Sequence, residues 1–253
     1  MAKASPGMKL DTTIWSVTGP WGARIDVTRG AVLFHILFVA ILTGNLGLSV
    51  DAFVYSLMFA LAVLWHEWGH EWSARRQGLE VQRVALTFGG GFCETGGGDV
   101  RRVFWVVLMG PLASIALAVL SLVACITVAV YMVIQGIELS AMAGDMQLWM
   151  WLLIFALINF ALAVFNMFPF QPLDGGKLVH LGLSFFLHQD RARLIAGCVG
   201  LAFGMIWVPV MVWMLSWGLI IPVFPKFLTH WRMIFGSEAG PTVMDIKPTP
   251  EPA

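Results

Sequence analysis

Leu64-Trp65-His66-Glu67-Trp68-Gly69-His70-Glu71 ends a hydrophobic run that begins at Ala52, and the spacing inside it sets the reading of the whole chain. On a helix, His66 and His70 stand one turn apart, about 40° around the axis, so both imidazoles can reach one ion. Glu67 is turned away by about 100°, off the ion but within reach of a water beside it. H-E-x-x-H spacing therefore supplies two metal ligands and a general base. The bland alternative is a polar cluster at a helix end, satisfied by interfacial water. Ionisable groups inside apolar segments are costly and usually functional, which favours the metal.

Outward from this stretch the chain is strongly apolar. Of its 253 residues 58% are hydrophobic and only 12% charged, with a mean hydropathy of +0.81. A soluble domain of this size could not hide so much apolar surface from water, so several helical membrane spans are expected. The formal net charge is zero, and nothing argues for nucleic acid as a partner. Cys93, Cys125 and Cys198 have no close spacing. They read as buried free thiols rather than a disulfide framework or a cysteine zinc site.

Residues 1–30 carry Lys3, Lys9, Arg24 and Arg29 without an apolar core, and read as a cytoplasmic N-terminal segment rather than a cleavable signal. A membrane-embedded unit is expected over 31–235, with a first span at 31–50 and a second at 52–77 that carries the histidine pair. His35 in the first span reads as a packed or pore-facing residue rather than a metal ligand. Arg75 and Arg76 mark the cytoplasmic interface. The stretch 78–99, with Gly89-Gly90-Gly91 and Gly96-Gly97-Gly98, is too polar to span and too apolar for a plain exterior loop. It reads as a re-entrant hairpin against the bundle, whose edge could pair with an extended substrate; a flexible interfacial loop is the alternative. Span three covers 103–134, where Gly110-Pro111 should kink it or admit a close neighbour. Span four covers 148–168, with Asn159 and Asn166 on one face. From 194 to 224 one apolar stretch runs through Pro209; it is long for one span and short for two, and flanking charge favours two. The fold expected is thus an all-α polytopic membrane protein of five to six transmembrane helices, with a glycine-rich β-hairpin or loop after the second. Residues 236–253, rich in proline, read as a disordered tail.

A catalytic zinc wants a third protein ligand. The candidate is Asp174, in Asn166-Met-Phe-Pro169-Phe-Gln-Pro172-Leu-Asp174-Gly175-Gly176, where prolines end the helix and glycines let the backbone bend. An Asp-Gly turn, or an N-cap for the following segment, competes evenly on spacing alone. Topology tips the balance: charge puts the ends of the second and fourth spans on the same side, level with each other.

These motifs resemble the site-2 protease family of zinc intramembrane metalloproteases. His66-Glu67-Trp68-Gly69-His70 matches the family's HExGH, and Asn166-x-x-Pro169-x-x-Pro172-Leu173-Asp174-Gly175-Gly176 its N-x-x-P…LDG. Gly89-Gly90-Gly91 resembles the glycine-rich region between them, and Gly110-Pro111-Leu112-Ala113 a GPLA-like step. The core covered runs over 52–187. The resemblance implies one Zn2+ per chain held by His66, His70 and Asp174, with Glu67 as catalytic base and Asn166 steadying the substrate carbonyl. It also implies Gly89, Gly90 and Gly91 as substrate-binding strand, a transmembrane protein as substrate, and a multi-pass protein of a bacterial plasma membrane with N-terminus and active site towards the cytoplasm. The rival readings are a catalytically inactive relative that only binds membrane proteins, and a membrane di-iron oxidase, which would need several histidine boxes where this chain has one pair.

Overall fold

The computed structural model describes residues 9–46, 50–88, 90–136, 143–216 and 224–236. Gly89 and the tail from 237 onwards lie outside the described residues. Four helices are long and apolar enough to cross a membrane: α2 (Val50–Arg76), α3 (Val100–Ile134), α4 (Ala143–Asn166) and α6 (Gln189–Ser216). At about 1.5 Å per residue each exceeds the roughly 30 Å of a hydrocarbon core. Their outward faces carry large apolar side chains, such as Leu61, Leu120, Val123, Phe160, Ile206 and Trp213, each more than 40% exposed. Lipid is the solvent such a surface suits.

A shorter apolar helix, α1 (Arg29–Leu46), leans on α2. Among the described residues the expected five to six spans therefore become four long ones and a shorter companion. Most of 194–224 is the single helix α6, and residues 217–223 lie outside the described set. His35 is packed: its Nδ1 lies 2.8 Å from the Ser56 hydroxyl of α2.

The first thirty residues hold structure that their composition does not announce. Strands β1 (Thr13–Thr18) and β2 (Arg24–Thr28) form a hairpin, and β3 (Val81–Thr87) and β4 (Gly90–Thr95) form a second one in the expected glycine-rich stretch. They join as one sheet in the order β1-β2-β3-β4, with β2 and β3 parallel and the other pairs antiparallel. Pairing β2 with β3 puts the whole of α1 and α2 into the connection between them. The seam is held by Asp26, which is fully buried and takes bonds from Ser16 and Arg24 at 2.6 Å and from Arg83 at 3.4 Å. Burial alone would raise its carboxyl, but the hydroxyl and the two guanidinium groups outweigh it and hold it below the ordinary aspartate range.

α2 is the hub. Gly69 is where α3 comes closest: a Cβ there would lie 2.7 Å from the Met109 carbonyl and from Ala113 Cβ. Gly110 serves the close approach expected of Gly110-Pro111, since its Cα itself faces this contact. Beyond α4 the chain turns through Pro169–Pro172 into the short helix α5 (Asp174–Leu183), which packs on α3 through Val103, Val107, Leu178 and Leu181. The last described helix, α7 (Phe227–Phe235), lies on α6.

Candidate metal centre

The site is assembled from two helices that the sequence keeps a hundred residues apart. α2 presents His66 and His70 on one face, and α5 begins with Asp174, whose side chain leaves its own helix uncapped and turns towards the histidines. His66 Nε2 is 3.0 Å and His70 Nε2 3.1 Å from the same oxygen, Asp174 Oδ2, and the two Nε2 atoms are 3.2 Å apart. All three residues are buried. The close turn that delivers Asp174 depends on Gly175 and Gly176, where any Cβ would run into the backbone of residues 167–168 and 170–171.

What lies behind the ligands fixes their state. The Val106 carbonyl, 2.8 Å from His70 Nδ1, can only accept, so Nδ1 carries a proton and Nε2 is the atom left to ligate. In the neutral ring the Nε2 lone pair faces a carboxylate oxygen, a pairing that a second ring proton or a metal cation between them resolves. The Ser114 hydroxyl sits 3.0 Å from His66 Nδ1, and Lys177 Nζ takes the other carboxylate oxygen, Asp174 Oδ1, at 2.9 Å. Asp174 is already paired with Lys177 through its far oxygen, and the buried Glu67 carboxyl beside it is a second acidic group that a divalent ion would hold in its charged form. Two imidazoles and a carboxylate are a donor set zinc favours. Tetrahedral ligands about 2.0–2.1 Å from such an ion lie about 3.3 Å apart, close to the separations found. Among the described residues His66, His70 and Asp174 are the one such cluster. The residues fit the metal.

A cavity of about 680 Å³ opens onto this cluster. Glu67, Asn166, Lys177 and the strand residues Gly90–Cys93 line it. β4 is the outer strand of its sheet, with β3 on one side only. Gly91 is the strand's point of contact with Glu67: a Cβ there would lie 2.8 Å from Glu67 Cγ and 3.0 Å from Oε1. A Cβ at Gly90 would have nothing within 4 Å. Asn166 stands in the cavity wall, but one amide N–H is given to the Leu162 carbonyl of its own helix at 3.0 Å. Its second N–H is the one available to a ligand.

The structure thus brings His66, Glu67, His70, Asp174, Asn166, Gly90 and Gly91 to one cavity. Lys177, Ser114 and the Val106 carbonyl were missed from sequence. Only Lys177 left a trace there, three residues after Asp174 on one helix face. Of the thiols, Cys125 is buried as expected, Cys93 is half-buried in β4 and Cys198 is exposed; all are free.

The family model of peptidase family M50 matches residues 54–207. Rip3 of Mycobacterium tuberculosis is 31% identical over 170 residues, 64% of this chain and 40% of that protein. Zinc metalloprotease MJ0392 of Methanocaldococcus jannaschii is 24% identical over 218 residues, 84% of this chain and 58% of that one. The chain therefore spans about half the length of these relatives. Among solved structures, the site-2 protease from Methanocaldococcus jannaschii shares the fold, with a TM-score of 0.58 and 21% identity over 88% of this chain and 92% of the other.

Proposed function

Since this chain belongs to peptidase family M50, we propose that it is a zinc-dependent intramembrane endopeptidase, cutting a peptide bond in or near the transmembrane segment of a membrane-protein substrate. One observation carries the reading: three Lewis bases from two distant helices converge on one another at 3.0–3.2 Å, with the Val106 carbonyl taking His70 Nδ1 so that Nε2 faces the cluster. His66, His70 and Asp174 would hold one zinc per chain. When bound, the metal supplies Lewis acidity, lowering the pKa of a water and polarising a carbonyl.

The rest is the work of this chain's side chains. Glu67 takes the proton from the attacking water and returns it to the leaving amine. Lys177 occupies Asp174 Oδ1, so only Oδ2 is turned to the histidines. Asn166 offers its spare N–H to the developing oxyanion. A transmembrane helix hides its carbonyls in hydrogen bonds, so the substrate has to unwind before cleavage. The unpaired edge of β4 offers it the replacement bonds of an added strand, with Gly90 and Gly91 leaving room for its side chains. Arg101 and Arg102 at the start of α3, with Arg75 and Arg76 at the end of α2, support a cytoplasmic position for this end of the molecule. The membrane would be a bacterial plasma membrane.

The test is paired. Purified protein should carry one zinc per chain and cleave a single-span substrate reporter, and Glu67→Gln should keep the zinc while losing at least about a hundredfold in rate. Zinc-free protein would sink the metal site. Zinc-loaded wild type that binds single-span segments without cutting them would favour the inactive, substrate-retaining relative.

A further inference from the structure

Asp174 can ligate only if the corner that carries it is held, and the groups that hold it come from beyond the region matched by the family model. Gln171 lies three residues before Asp174, is buried, and sits between Pro169 and Pro172, where no helical ladder can use its backbone. A buried peptide group left without a partner is costly. Both of its polar atoms are met from the α7 end of the chain. The Gln171 N–H donates to His230 Nε2 at 2.9 Å, and the Gln171 carbonyl accepts from the Lys226 N–H at 2.9 Å.

His230 is built into this position rather than resting there. It is 1% exposed, on the face of α7 that meets α6. At Gly200 of α6 any Cβ would collide with its ring; at Gly197 a Cβ would lie 2.9 Å from Met233 Cβ and 3.2 Å from the His230 carbonyl. Nε2 accepts from a peptide N–H, so Nδ1 carries the proton, and it finds no partner among the described residues. A histidine kept for packing alone would not need its lone pair aimed at one amide of the metal-ligand corner. Phe170 and Leu173, on either side of that corner, pack with Trp207 of α6, so α6 and α7 together form its back wall.

We propose that α7 is a latch on the metal site and that His230 is its positioning residue, setting zinc affinity by holding the Gln171 peptide and through it Asp174. This rests on the zinc reading of the site. It concerns retention of the ion, so it is tested by metal binding and can fail while that reading stands.

The experiment measures zinc affinity of the full chain in detergent by chelator competition, beside thermal unfolding of the zinc-free protein. His230→Ala should bind zinc about tenfold more weakly, at the lower end of what loss of a supporting partner costs. His230→Gln, whose amide oxygen can accept from the same N–H, should recover most of it. Gly200→Ala keeps the imidazole but displaces α7, and should weaken zinc binding as His230→Ala does; it carries the test alone if His230→Ala fails to accumulate. Met233→Ala removes packing from the same helix without touching Gln171, and should lower the unfolding temperature while leaving zinc affinity within about twofold of wild type. Wild-type zinc affinity in Gly200→Ala or His230→Ala would overturn the proposal. So would a Met233→Ala protein that loses zinc as readily as either, because the effect would then be general loosening.

Discussion

The contact between Gly91 and Glu67 gives a substitution whose outcome can be worked out in advance. In Gly91→Ala the new methyl would lie 2.8 Å from Glu67 Cγ and 3.1 Å from Val63 Cγ1, where ordinary contact begins at 3.4 Å. Either β4 retreats by about 0.6 Å or more, or the Glu67 side chain rotates away. A catalytic group has to be held within about 0.5 Å of its productive position, and a misplacement near 1 Å costs about a hundredfold in rate, or about 2.7 kcal/mol of barrier. The nearest atoms to that methyl belong to Glu67 and Val63 and to none of His66, His70 and Asp174, so metal content should not change. Gly96→Ala is the internal control: just past the end of β4, its Cβ would meet only Glu80 at ordinary contact distances of 3.6–3.7 Å, and it should cleave within about threefold of wild type, the few tenths of a kcal/mol usual for an unobstructed substitution. The assay is cleavage of a single-span reporter by purified variants matched for zinc content. Full activity in Gly91→Ala, or an equal loss in both variants, would refute the view that β4 sets the position of the base.

Three further outcomes are expected. Gly110→Ala would place a methyl against the His70 ring and 2.9 Å from His66 Nε2, so zinc affinity should fall by at least about tenfold; metal analysis after dialysis against chelator decides it. Glu67→Gln should retain one zinc and lose cleavage, and an active Glu67→Gln protein would remove Glu67 as the base. Asp26→Asn tests the seam of the sheet. The Asp26 carboxyl is held below its ordinary value by Ser16, Arg24 and Arg83 against the opposing effect of burial, so its stabilising contribution is complete above about pH 3.9 and lost as pH falls through the lower folded value. Wild type should therefore unfold at higher temperature than Asp26→Asn near neutrality, and the gap should close only in strong acid. A gap that stays constant down to about pH 2 would deny the carboxylate that role.

How much of this was legible in the residues depends on the range of the interaction. The pairing of His66 with His70 is a matter of one helical turn, and it can be counted from the sequence. Asp174 was legible because prolines and glycines leave local marks wherever a helix is broken and bent. The β3–β4 hairpin announced itself through glycine composition. β1 and β2 did not, because Thr13–Thr18 is largely exposed and becomes a strand only through its partner, and β2 finds β3 across two helices. Ser114 and the Val106 carbonyl left no trace, since they face the histidines only through the way α3 crosses α2. His230 carries no local mark of its role, because it meets Gln171, 59 residues away in sequence, only through the fold. The apolar stretch after residue 194 could not be divided by charge alone; its continuity over Gln189–Ser216 is a property of α6.

The parallel seam between β2 and β3 has a consequence for how the protein is made. Residues 24–28 are synthesised before either neighbouring helix, and their partner strand at 81–87 only after both. The four-stranded sheet beside the histidine pair cannot be completed during early synthesis; it waits for the chain to travel out and come home. A reporter or affinity handle grafted within the opening strands would therefore be felt at β4, across the same sheet, although more than fifty residues of chain intervene.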